Sequence, residues 1–169
     1  LRRKGISHVA AQHDGKNAFG SPSIQRMERN LSKLYAPADL QLALHRHRNT
    51  TVALLDRGVI KATIANGAGG LMGDVDIPRQ FLHVYWEAVR AWNMTLYMEN
   101  SDYKQLISRN AFTGVRVDLS LAMFADDLRK IHPVLPRPGQ SKAERAVQML
   151  SKSNAGLDAQ LDDIDMAQN

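Results

Sequence analysis

Residues 115–132 read VRVDLSLAMFADDLRKIH. Val115, Val117, Leu119, Leu121 and Met123 alternate with Arg116, Asp118 and Ser120, a period of two that predicts one strand with a buried and a solvated face. The run closes on Phe124-Ala125-Asp126-Asp127, and residues 128–132 can return as its antiparallel partner. Adjacent residues of an extended chain point to opposite sides, so the acidic doublet is best placed in a tight turn that exposes at least one carboxylate. Two neighbouring carboxylates repel each other unless a cation or water lies between them. A hard divalent ion suits that position, because Mg²⁺ favours carboxylate and phosphate oxygens together. A plain solvated turn is the alternative, since turns favour Asp for local reasons.

Upstream of this hairpin the periodicity changes several times. Residues 8–12, HVAAQ, predict a short strand running into Asp14. Ser21 as N-cap and Pro22 at the first helical position predict a helix carrying Ile24, Met27, Leu31, Leu34 and Tyr35, ended by Pro37. A second short helix is expected from Asp39. TTVALL and VIKATIA flank Asp56-Arg57-Gly58 and predict a hairpin. Four glycines then crowd residues 66–74, NGAGGLMGD, a loop that lets backbone approach something closely. Pro78 heads an amphipathic helix with Phe81, Val84, Tyr85, Ala88, Val89 and Trp92 on one stripe; Tyr85, Trp86 and Trp92 are expected mostly in its core. Residues 93–113 fit neither period well. Ser141 and Glu144 form a capping-box signature for a last helix, weakened near residues 154–156. The fold class is therefore α+β, a small antiparallel sheet backed by helices.

At 169 residues the chain suits one domain, and 44% hydrophobic with 23% charged residues is ordinary globular usage. The longest uninterrupted apolar stretch covers residues 121–125, far short of the roughly 20 that a membrane helix needs. Without Cys there is no disulfide framework and no thiolate metal site. The net charge is +5, and the positive excess lies in residues 1–50, where nine Lys or Arg stand against three acids. That is a mild pull toward polyanions, although a solvated surface explains most of these side chains as well. The chain opens on Leu1, and both ends are read as arbitrary cuts in something longer.

Two further candidates join the acidic doublet. Asp14 ends the first strand, and a carboxylate there, beside a second strand-end pair, would complete a three-Asp site in a small sheet. An exposed Asp in a loop before a helix is the alternative. The glycine loop could cradle phosphate at the head of the Pro78 helix, but it matches neither GxxxxGK[ST] nor GxGxxG. A plain flexible loop remains open for it.

In order along the chain, these three features resemble the palm region of a reverse transcriptase of the non-LTR retrotransposon type. Asp14, with Ala18 and Phe19 at +4 and +5, is similar to the family's first palm motif. Residues 70–81, GLMGDVDIPRQF, resemble the second, with Pro78 and Phe81 at +5 and +8 from Gly73. Phe124-Ala125-Asp126-Asp127 resembles the third, and the terminal helix resembles the approach to a fourth. Met72 stands where the family usually has Gln; a thioether cannot replace the hydrogen bonds of that amide to the template strand.

The resemblance implies a polymerase palm with an incomplete fingers portion, spanning 1–169, with N-terminal fingers and C-terminal thumb lying outside it. It implies an RNA-directed DNA polymerase that adds deoxynucleotides to a primer 3′-hydroxyl. Asp14, Asp126 and Asp127 would be the catalytic and metal-binding residues for two Mg²⁺ ions, or Mn²⁺. Phe19, Gly73 and Asp74 would bind the nucleotide, Phe19 excluding a 2′-hydroxyl, and Gly70 and Met72 would contact the template. A core-packing aromatic is the alternative for Phe19. The partners implied are an RNA template, a DNA primer and deoxynucleoside triphosphates, with no membrane, in an intracellular and nuclear setting. A degenerate palm that grips RNA without polymerising is the competing expectation, and Met72 is its main support.

Overall fold

The computed structural model describes residues 6–67, 69–70 and 76–168. Its centre is a three-stranded antiparallel sheet in which β7 (Asp127–Val134) lies between β1 (Ser7–His13) and β6 (Leu121–Phe124). Along β7 burial alternates from Asp127 to His132: Leu128, Lys130 and His132 turn inward, while Asp127 and Arg129 turn out. The inward face packs against α3 (Ile77–Glu99) and α4 (Lys142–Asp162). The architecture is thus mixed α+β, with helices on one side of a small sheet. No helix among the described residues is long and apolar enough to cross a membrane.

The stripe expected on the Pro78 helix is the spine of the core. Phe81, Val84, Tyr85, Ala88, Val89, Trp92 and Leu96 of α3 are buried against Leu128 and Val134 of β7 and Met149, Leu157 and Leu161 of α4. Full burial of one such side chain stabilises by about 1.5–3 kcal/mol, so this stripe outweighs any local propensity. Trp86 departs from the expectation: it is 43% exposed, because it falls outside the stripe that Tyr85 and Trp92 share. The last helix runs unbroken through Gly156, which faces the Trp92 indole; a Cβ there would sit 3.4 Å from Trp92 Cδ1, in van der Waals contact. The Trp92 indole N–H donates to the Ser153 carbonyl at 2.9 Å. The capping box of Ser141 and Glu144 is formed.

Helix boundaries shift by capping chemistry. Ser23, not Ser21, caps α1 (Ile24–Leu34), its hydroxyl accepting from the Arg26 N–H. The Ser21 hydroxyl instead donates to the Lys16 and Asn17 carbonyls, closing the turn that follows Asp14. Pro37 opens α2 (Pro37–Arg48) at its first position, where a missing N–H costs nothing. β2 (Thr51–Asp56) and β3 (Val59–Ala65) form the expected hairpin, with Arg57 and Gly58 both at positive φ, the twist that two-residue hairpin turns require.

The single strand expected over residues 115–123 is instead two. β5 (Arg116–Asp118) pairs with β4 (Ile107–Arg109), and β6 pairs with β7. Asp118 makes the break: its carboxylate accepts from the N–H of Ser120 at 2.9 Å and of Leu106 at 3.2 Å, which bends the chain between the two sheets.

Candidate carboxylate site at the end of the sheet

The β1–β7 ladder pairs Gln12 with Arg129 and His13 with Leu128. The ladder stops there, so Asp14 leaves β1 at the end of the sheet where β7 begins with Asp127, and Asp127 pairs with Phe124 across the β6–β7 turn. Antiparallel partners point to the same face, and the Asp127–Phe124 pair is exposed, Phe124 at 82%; Asp14 is exposed as well. The neighbouring row, Gln12, Arg129 and Ala122, is exposed too, whereas His13 and Leu128 between them are buried. One face of the sheet therefore stays open to solvent, with two carboxylates at its end.

Asp126 occupies the turn itself, half-buried, after Ala125 at φ 52°. A left-handed alanine costs about 1 kcal/mol, so the surroundings must hold this turn in place. Tyr85 does so from α3, its hydroxyl donating to the Asp126 carbonyl at 3.3 Å. Burial pushes the Tyr85 phenol up to about 12, and the charges of Asp126, Asp127 and Asp14 push in the same direction. All three carboxylates thus act on one hydroxyl. Gly15 brings β1's continuation close to the turn: a Cβ there would lie 3.7 Å from Asp126 Cβ and 3.3 Å from Met166 Cε. The end of the chain returns along this segment, with the Lys16 N–H donating to the Ala167 carbonyl at 2.9 Å and Gln168 bridging to Gly15.

Carboxylate oxygens at the open end of a sheet are the right donor chemistry for Mg²⁺ or Mn²⁺. They are not a closed cage: among the described residues no three His, Asp or Glu side chains are grouped tightly enough to hold a metal ion by themselves.

The other expected site residues are distributed around this corner. Phe19 lies in a 3₁₀ turn (Ala18–Gly20), half-buried, its ring 4.8 Å from that of Phe81. It shares the core-packing and the exposed character that the sequence left open. Gly70 is buried, and its N–H donates to the Phe19 carbonyl at 2.8 Å; the Gly69 N–H donates to the Pro22 carbonyl at 2.8 Å. What the glycine loop approaches closely is therefore the turn after Asp14, and this links two of the three motifs. Met72, Gly73 and Asp74 lie outside the described residues.

Two features gave no signal in the sequence. Tyr85 read as core, and nothing marked its hydroxyl. Lys130 read as one residue of a return strand, yet it is fully buried, its ammonium donating to Asn93 Oδ1 at 2.6 Å, to Ser120 Oγ at 2.8 Å and to the Tyr97 hydroxyl. Burial pushes it down to about 8, opposed by the charge of Asp118 at 3.9 Å. For Asp118, burial raises the carboxyl, but the Ser120 hydrogen bonds and the Lys130 charge more than offset it and hold it below the usual range.

Within the basic first third, Arg48 stands in a surface ion pair with Glu28 at 2.7 Å, Lys33 with Glu87 at 2.5 Å and Arg46 with Asp76 at 3.7 Å. No protein-family model and no curated protein sequence matches this chain.

Proposed function

We propose that this chain is the palm region of an RNA-directed DNA polymerase, with Asp14, Asp126 and Asp127 as its metal-binding carboxylates. The observation that supports the reading is the strand register, which ends with His13 opposite Leu128, so that residues 14 and 126–127 flank the same end of the sheet although more than a hundred positions separate them. Tyr85, whose phenol responds to all three charges, supports the same convergence.

On this reading each part has a physical task. Bound divalent ions would favour deprotonation of a primer 3′-hydroxyl and neutralise a leaving pyrophosphate. Asp14 and Asp126 would hold them, with Asp127 as a further ligand or support. Tyr85 would fix the turn from below. The sheet face left exposed among the described residues would leave room for a primer terminus. Phe19, anchored on Phe81, would offer its exposed edge to the nucleotide sugar and disfavour a 2′-hydroxyl. RNA template, DNA primer and deoxynucleoside triphosphates would be the partners, in an intracellular, nuclear setting.

Manganese titration of this chain, followed by electron paramagnetic resonance, tests the proposal. Binding that Asp14→Asn or Asp126→Asn abolishes, with the circular dichroism spectrum unchanged, is the expected result. No saturable binding by the unsubstituted chain overturns it. That outcome, with RNA binding retained, would favour the second reading, a palm that grips RNA without polymerising. Met72 in place of the family's usual Gln and the open ligand geometry support that alternative.

A further inference from the structure

Apart from Asp118, whose carboxylate faces Lys130, the β4–β5 hairpin lies outside the core cluster. At its tip Phe112 is 99% exposed. The tip is nevertheless built: Asn110 Oδ1 accepts from the N–H of Phe112 at 2.9 Å and of Thr113 at 3.0 Å. The Gly114 N–H donates to the Asn110 carbonyl at 2.9 Å, and Gly114 takes a φ of 68° that completes the reversal. A phenyl ring is thus presented to solvent on a pre-ordered support.

Directly below it, Arg109 pairs with Arg116 across the two strands, and both are exposed. Like charges directly opposite each other destabilise a two-stranded ribbon. No acidic partner compensates them among the described residues; Asp118, the acid of this hairpin, is turned to Ser120, Leu106 and Lys130. The Arg109 Nε–H donates to the Gly114 carbonyl at 3.1 Å, which holds its guanidinium beside the tip. An aromatic face and two uncompensated guanidiniums on one ribbon match a strand that carries bases and phosphates alternately.

We propose that this hairpin grips single-stranded nucleic acid, Phe112 stacking under a base and Arg109 and Arg116 contacting the adjacent phosphates. The inference does not depend on the carboxylates and holds for a polymerising or a non-polymerising palm.

Fluorescence anisotropy with a labelled oligoadenylate of about 12 nucleotides, in EDTA and low salt, tests it. Phe112→Ala should raise Kd about tenfold, and Phe112→Trp should restore it. Arg109→Ala and Arg116→Ala should each flatten the dependence of log K on log salt by about 0.7. Binding of heparin, which has charge but no bases, should be indifferent to Phe112→Ala. Unchanged oligoadenylate affinity in Phe112→Ala overturns the proposal. So does a loss confined to phosphatidylserine vesicles, which would make the ring a lipid anchor. The assay is run in EDTA, without metal, so failure of the metal reading leaves this result interpretable.

Discussion

The Tyr85 hydroxyl donates to the Asp126 carbonyl over 3.3 Å, tying the spine of the core to the turn that carries the acidic pair. This makes Tyr85 an internal probe of the corner. Burial and the charges of Asp126, Asp127 and Asp14 raise its phenol to about 12. Replacing any one of the three by Asn should lower that value, read from tyrosine ring resonances as pH rises, with Tyr85→Phe assigning the signal. If Asp14→Asn leaves the titration unmoved, Asp14 does not belong to the corner.

Lys130 predicts an alkaline gain in stability. Its folded value of about 8 lies below its ordinary 10.5, so the unfolded chain binds more protons between those two pH values. Stability must then rise as pH climbs from 8 toward 10.5, by up to about 3 kcal/mol before opposing groups act. The buried phenols of Tyr85, Tyr97 and Tyr103, each raised to about 12, act in the opposite sense and reduce stability above pH 10. Urea unfolding at pH 7.5 and 9.5 (about two units apart across the window) should show the gain in the unsubstituted chain and not in Lys130→Met. Equal gains in both would remove Lys130 as the cause.

The elements that sequence reading recovered well share one property: a single face decides them. The apolar stripe of α3, the two-residue turn at Arg57-Gly58 and the Ser141–Glu144 capping box are local patterns, and each is present. The alternation over residues 115–123 is equally local, yet it spans two strands, because Asp118 and Ser120 serve a buried lysine that lies in another strand. No local period encodes that. The same limit explains Tyr85, whose stripe position reports the ring and not the hydroxyl, and Ser21, whose carbonyl partners precede the helix it was expected to cap. For the acidic corner, the sequence supplied the residue types and the order of motifs. That both stretches flank one end of the sheet follows from the β1–β7 register, which pairs His13 with Leu128 and is not legible in the sequence.

His132 predicts an acid limb. It is buried with its Nε2 3.1 Å from Ser153 Oγ and its ring edge-on to Tyr103. Burial, with lesser help from the charges of Lys130 and His13, lowers it to about 4. The unfolded chain therefore takes up a proton between pH 6.5 and 4 that the folded chain refuses, and stability falls as pH drops through that window, by up to about 3 kcal/mol. His132→Gln, which keeps a partner for Ser153 but does not titrate, should flatten this limb in thermal melts at successive pH values. A limb of unchanged depth would assign it to other groups.

Gly69 carries the sharpest stability prediction, because its constraint is backbone on backbone. Its φ is 56°, and a Cβ would fall 2.4 Å from the Phe19 carbonyl oxygen and 2.5 Å from the Gly20 carbonyl carbon. Neither atom can swing aside as a side chain would. Left-handed strain alone costs an alanine about 1–2 kcal/mol, and relieving the overlap breaks the Gly69 N–H bond to Pro22 as well. Gly69→Ala should therefore destabilise the chain by at least about 2 kcal/mol in urea unfolding, while Gly58→Ala, also at positive φ but with open space around it, should lose only the strain. Because the Gly69 contact holds the glycine loop against the turn after Asp14, the same substitution should weaken manganese binding at the carboxylate corner. Full affinity in a destabilised Gly69→Ala would mean that the loop and the corner are mechanically independent.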